Sequence, residues 1–200
     1  MPKRYDKAYF DRWYRGTHRV NSPAEVRRKV SLAVATTEYF MKAPLRSVLD
    51  IGCGEGAWFP HLRALRPGVD YMGLDPSEYA VRHFGRRRNI RRAAFGELPS
   101  LRLARRFDLV VCSDVLHYVP EDEIRNGIAE IARVVNGIAF IEVLTKEDEI
   151  IGDLADLTQR PAKWYVKTFA AAGLMAVAPY CYLAPERFAE ASELEIPRVR

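Results

Sequence analysis

Cysteine is scarce: Cys53, Cys112 and Cys181 are three in 200 residues, odd in number and far apart. They cannot frame a small disulfide-bonded fold, and no C-x-x-C pair suggests zinc, so no metal site is expected. No apolar run approaches the roughly 18 residues of a membrane span, so no membrane partner is expected. The N-terminus, Met-Pro-Lys-Arg-Tyr-Asp-Lys, lacks the apolar core of a secretory signal. Together these absences point to a reducing, cytoplasmic setting. Internal repeats and low-complexity tracts are absent too, and 200 residues suffice for one substantial core.

What is present is ordinary for a globular chain, 48% hydrophobic and 28% charged residues. The net charge of +5 is unevenly spread. Arg82, Arg86, Arg87, Arg88, Arg91, Arg92, Arg102, Arg105 and Arg106 crowd one stretch. That stretch reads first as a solvated face, and second as a patch for phosphate-bearing or acidic partners. It lacks the interleaved aromatics of a base-stacking surface.

Residues 1–43 read as a helical extension. Tyr5, Tyr9 and Trp13 fall at helical spacing, as do Phe10 and Tyr14, giving an amphipathic helix or an aromatic lid. Ser22-Pro23-Ala24-Glu25 is a capping box that starts a helix running to about Met41. Strands and helices then alternate through an α/β core, 44–183. Strands are expected at 46–51, 71–74, 90–95, 107–112, 137–144 and 174–183. Helices are expected at about 57–66, from Pro76 to about Phe84, from Pro120 to about Val135, and from Pro161 to Ala172. Residues 184–200 form a helix and tail. Such alternation means a three-layer, Rossmann-like, mostly parallel sheet with helices on both faces, in one domain.

The apolar run Ser47-Val48-Leu49-Asp50-Ile51 drops into Gly52-Cys53-Gly54-Glu55-Gly56. Alternate glycines let backbone lie against a ligand. Asp75 closes the next strand, where a carboxylate can accept both hydroxyls of a ribose. Turn and acid together specify a nucleoside. The dinucleotide fingerprint is G-x-G-x-x-G with pyrophosphate at the helix N-terminus. Here the spacing is G-x-G-x-G, and Glu55 would repel a pyrophosphate. The acids flanking the turn suit a ligand with a positive end.

Val48 to Gly56 resembles the first motif of class I S-adenosylmethionine-dependent methyltransferases, of the small-molecule type. Gly73-Leu74-Asp75-Pro76-Ser77 resembles their second. Phe95-Gly96-Glu97-Leu98 is similar to the segment flanking the adenine, and Phe107 to Val119 to the fourth motif. The ligand's sulfonium and ammonium agree with the charge of the turn. The resemblance implies that Asp50 and the turn from Gly52 through Cys53 and Gly54 to Gly56 hold the methionine end, although Gly56 could serve only helix–strand packing. It gives Asp75 the ribose, Pro76, Glu97 and Leu98 the adenine, and Ser113 the ligand's amino group through its carbonyl. Glu97 stands where the family more often has aspartate. Tyr14 and Arg19 of the extension, with His18, could close the other side.

Methyl transfer from a sulfonium is an in-line displacement, and a base is needed only for a protonated acceptor. Candidates past the fourth core strand are Asp114, His117 and Tyr118; His117 has a suitable unperturbed pKa. Cys53 and Cys112 read as small apolar fillers. No Asn/Asp-Pro-Pro-aromatic signature of base-amine methylation and no nucleophilic cysteine motif is present. The leading expectation is methyl transfer to a small metabolite, with anionic acceptors among the candidates, by a monomer or homodimer. An RNA or protein methyltransferase using the 82–106 arginines is the alternative. A non-catalytic cofactor-binding or assembly protein is a third reading, and a nicotinamide-dependent oxidoreductase a distant fourth. The family's sheet has seven strands, whereas only one strand is legible after Gly173; the last hairpin is therefore expected to be incomplete.

Overall fold

A computed structural model describes residues 5–15, 20–149, 153–192 and 195–196. Seven strands form one sheet: β1 (Ser47–Ile51), β2 (Asp70–Asp75), β3 (Ile90–Arg92), β4 (Phe107–Ser113), β5 (Val135–Glu142), β6 (Met175–Ala178) and β7 (Cys181–Leu183). Their order is β3-β2-β1-β4-β5-β7-β6. The pairs among β1 to β5 are parallel, whereas β7 runs antiparallel to β5 and to β6.

The central strands are apolar on both faces because both are covered. Along β4, Leu109 and Val111 face one core with Val30, Val34 and Phe40 of α2 (Pro23–Met41). Val110 and Cys112 face the other, with Ile124, Ile128 and Ile131 of α5 (Glu121–Val134) and Phe169 of α6 (Ala162–Ala171). Ser22 and Glu25 form the expected reciprocal cap at the start of α2. Two shorter helices, α3 (Phe59–Leu65) and α4 (Glu78–Arg88), follow β1 and β2. The extension holds α1 (Lys7–Phe10), whose Asp6 side chain accepts from the Tyr9 amide. A π-helical turn over Asp11–Arg15 continues it.

Three expectations shift. The run 174–183 is two strands and not one: Pro179 and Tyr180 make the turn, with Tyr180 in the left-handed region (φ 59°). The terminal hairpin is therefore complete, and an unbroken apolar sequence without glycine or asparagine had hidden its turn. β3 ends at Arg92, because a 3₁₀ turn already begins at Phe95. α4 runs on to Arg88, where Asn89 (φ 48°) supplies a left-handed cap.

In such a sheet ligands bind beyond the carboxyl ends of the strands where the order reverses. Here that point lies between β1 and β4, directly above Asp50 and Ser113.

Candidate active site

The turn after β1 is built against β2. The Gly52 and Cys53 amides donate to the Leu74 carbonyl (2.7 and 3.1 Å), and the Gly54 amide to Asp75 Oδ2 (2.7 Å). Gly52 and Gly54 have φ of 69° and 54°, which side-chain-bearing residues rarely adopt. Both leave bare backbone facing a cavity of about 290 Å³. Asp75 Oδ1 accepts from the Ser77 amide (2.8 Å), so each carboxylate oxygen keeps a lone pair for a further donor. Burial raises the Asp75 pKa, while the two backbone amides oppose that rise.

Residues 5–15 lie across this cavity. The Tyr5 carbonyl accepts from Ser77 Oγ (2.5 Å). The Phe10 ring is buried on Gly54, close enough that a Cβ there would lie 3.1 Å from it, and stacks on Tyr79 (5.7 Å between centroids). Arg15 pairs with Glu55 of the glycine turn. Tyr5, Tyr9, Phe10 and Tyr14 thus form one wall, facing Asp75, Pro76, Phe95, Asp114, Tyr118 and Glu123.

A second cavity of about 240 Å³ shares Tyr14, Gly52 and Asp114 with the first. It reaches Asp50, Cys53, Glu55, His61, Arg88 and Ser113. Asp50 accepts from the Tyr71 hydroxyl (2.7 Å) and is buried. Loss of water, more than the nearby Asp75 charge, pushes its pKa up to about 7 against the Tyr71 bond. Because the folded value exceeds the unfolded one, any stability Asp50 contributes is present at acid pH and is lost as pH rises through 7. At about 1.4 kcal/mol per pH unit, the ionised form costs up to about 4 kcal/mol. Chemical denaturation at pH 5 and pH 8 should show that Asp50→Asn removes this loss. An equal slope in both proteins would count against it.

Behind the junction of the two cavities runs a polar chain. The Lys29 ammonium donates to Asn21 Oδ1 (2.8 Å) and to Glu142 (2.7 Å), Ser113 Oγ donates to Glu142 (2.5 Å), and Asn21 Nδ2 donates to Asp114 Oδ2 (2.8 Å). It ties the N-terminal part of α2 and the residue before its cap to the ends of β4 and β5. Asp114 itself has φ 60°, a conformation aspartate tolerates better than most.

Of the residues picked from sequence, Tyr14, Gly52, Gly54, Asp75, Pro76, Asp114 and Tyr118 line the first cavity, and Asp50, Cys53 and Ser113 the second. Four do not gather there. The His117 ring is 1% exposed and lines neither cavity; the 3₁₀ turn Leu116–Tyr118 sends it inward, where Nδ1 accepts from the Leu144 amide (3.4 Å). The Glu97 carboxylate bends back to its own turn and accepts from the Ala94 amide (2.6 Å). Leu98 is core, and Gly56 packs against Arg88 and Ile90. Arg19 lies outside the described residues, as does His18.

Residues that sequence reasoning passed over include Glu123, Asn21, Lys29 and Arg88. Glu123 presents its carboxylate beside Gly96 and takes the place in the cavity wall expected of Glu97. Its sequence signal, the acidic start of α5, reads only as a favourable helix terminus. Arg88 donates to the carbonyls of Glu55 and Gly56 (2.7 and 3.1 Å), pinning the glycine turn from behind. Other arginines of the stretch are paired on the surface, Arg92 with Glu78, Arg105 with Asp70 and Arg106 with Glu186.

A parallel sheet with this order, an antiparallel terminal hairpin and a glycine turn facing an acid on the next strand define the class I methyltransferase architecture. Residues 49–137 match the family model described as a methyltransferase domain. No curated protein sequence gives a significant match. Among solved structures the chain is similar to the sugar N-methyltransferase KedS8 of Streptoalloteichus, at 18% identity and TM-score 0.61, covering 78% of this chain and 85% of that one. It is similar to the S-adenosylmethionine-bound amino pentose methyltransferase CalS10 of Micromonospora echinaspora, at 17% identity and TM-score 0.62, covering 83% and 92%. It also resembles the magnesium protoporphyrin IX methyltransferase ChlM of Synechocystis with bound S-adenosylmethionine, at 21% identity and TM-score 0.58, covering 90% and 89%. At these identities the likeness establishes the fold.

Proposed function

We propose that the protein transfers the methyl group of S-adenosylmethionine to a small-molecule acceptor. The observation that carries this reading is the Asp75 carboxylate, held by two backbone amides and open toward the cavity beneath the glycine turn. The donor supplies an already activated methyl group, attached to a positively charged sulfur. Everything else falls to positioning and to the exclusion of water.

The backbone at Gly52 and Gly54 gives the donor a surface free of side chains. Asp75 orients its ribose, while Pro76, Phe95 and Glu123 bound the adenine. Asp50, with the Ser113 carbonyl, receives the ammonium of the methionine end, and His61 stands in the second cavity for its carboxylate. The wall formed by Tyr9, Phe10 and Tyr14 keeps solvent from the sulfonium, whose positive charge is compatible with aromatic faces. Tyr118 of the first cavity's wall is itself held, donating its hydroxyl to the Asp153 carbonyl (2.7 Å). Structural relatives whose names specify sugars and a porphyrin support a small acceptor.

The test is incubation of the protein with methyl-labelled S-adenosylmethionine and fractionated metabolite extract. The reading predicts label in a compound small enough to pass a 1 kDa-class filter, with matching release of S-adenosylhomocysteine. Label confined to RNA or protein would redirect it to the macromolecular alternative. Donor binding without any turnover would favour a non-catalytic binding protein.

A further inference from the structure

We propose that the acceptor is an amine, held as its ammonium ion between Asp114 and the tyrosine rings at the mouth of the first cavity. This rests on the methyltransferase reading above and adds the charge class of the acceptor.

The first observation is the charge of the wall. Among the described residues the ionisable acids and bases lining the first cavity are Asp75, Asp114 and Glu123, with no lysine, arginine or histidine. Asp75 and Glu123 flank the nucleoside end. Asp114 stands apart from them, at the junction where the two cavities share Tyr14 and Gly52.

The second is how Asp114 is held. Lys29 fixes Asn21 by its carbonyl oxygen, so the amide must turn its NH₂ group toward Asp114. That bond occupies Oδ2, while Oδ1 takes no hydrogen bond among the described residues. That bond fixes Asp114 in the wall common to the two cavities, with Oδ1 left for a further donor.

The third is that nearby cations are committed elsewhere. Lys29 is neutralised by Glu142, Arg15 pairs with Asp11 and Glu55, and Arg88 serves backbone carbonyls. Among the described residues no cation lines the first cavity, so an anionic acceptor would meet Asp114 uncompensated, an expensive arrangement in a partly buried site. An ammonium ion gains the carboxylate, and the phenol rings of Tyr9, Tyr14 and Tyr118 around the same space add cation–π attraction. Anionic acceptors, which the sequence left among the candidates, are thereby disfavoured.

The step balances. The bound ammonium gives one N–H proton to Asp114, and from there to solvent. The freed nitrogen lone pair forms a bond to the methyl carbon as the carbon–sulfur bond breaks. Sulfur keeps that pair and leaves as a neutral thioether. Two cations enter; one methylated ammonium and one proton leave.

The experiment offers the protein, with S-adenosylmethionine, three size-matched pools: amines (amino sugars, polyamines and arylalkylamines), alcohols with phenols, and carboxylates with phosphate esters. Methylated products are read by mass spectrometry. The amine pool should yield at least ten times the product of either other pool. Asp114→Asn retains a residue suited to φ 60° and an oxygen for Asn21, and should lower kcat/KM on the methylated amine at least tenfold. Product mainly from another pool, no product from a protein that binds S-adenosylmethionine, or an unimpaired Asp114→Asn variant each overturns the proposal. A protein that does not bind S-adenosylmethionine fails the underlying reading instead, which separates the two.

Discussion

Asp75→Ala is expected to weaken S-adenosylmethionine binding by at least about 100-fold, or ~2.8 kcal/mol. Two losses combine. The ribose hydroxyls lose a charged acceptor, and charge-assisted hydrogen bonds are roughly twice as strong as neutral ones. The amides of Gly54 and Ser77 also lose their shared partner, so the glycine turn loses one of the ties that set it against β2. Buried amides left unpaired cost about 1–3 kcal/mol each, so the folded state loses stability as well. Titration calorimetry, with circular dichroism to confirm folding, reads both effects. A folded Asp75→Ala protein that binds within fivefold of wild type would remove Asp75 from the donor site.

Gly52→Ala should be almost as damaging, although it adds one methyl group. A Cβ at Gly52 would stand 2.3 Å from Val115 Cγ2, and the backbone there has φ 69°. The left-handed conformation costs a side-chain-bearing residue about 1–2 kcal/mol, and forcing Val115 aside about 1–3 kcal/mol more. Val115 lines the donor cavity, so moving it distorts the site that Gly52 exposes. The melting temperature should fall by roughly 5–15 °C. Gly68→Ala is the control, since nothing lies within 4 Å of a Cβ there. Equal melting temperatures for the two variants would show that the turn yields more easily than its geometry implies.

These two positions were legible in the sequence because each belongs to a short local pattern. Strand, turn and acid follow one another within the span from Val48 to Asp75, and parallel pairing of β1 with β2 brings them together without further information. The apolar runs of β4 and β5 were equally plain, since strands covered on both faces show no alternation to misread. What could not be read depends on contacts far apart in the chain. Asn21 reaches Asp114 and Lys29 reaches Glu142, and neither polar residue advertises its partner. Glu97 and Glu123 show the same limit. Both are acids near the expected adenine edge, and only the packing of α5 on the Phe95–Leu101 turn decides which one faces the cavity. His117 and Tyr118 are neighbours with opposite fates because a three-residue 3₁₀ turn separates their directions. The terminal hairpin escaped notice for a different reason: its turn is made by proline and tyrosine inside an apolar run, without the glycine or asparagine that marks most tight turns.

The central claim is that the cavity between the glycine turn and residues 5–15 is the donor site. A crystal structure of the protein with S-adenosylhomocysteine tests it most directly. The account predicts both ribose hydroxyls within hydrogen-bond distance of the Asp75 carboxylate, adenine between Phe95 and Glu123, and the sulfur facing Asp114 beneath Tyr14. A nucleoside bound elsewhere, or in this cavity with its ribose away from Asp75, would contradict it.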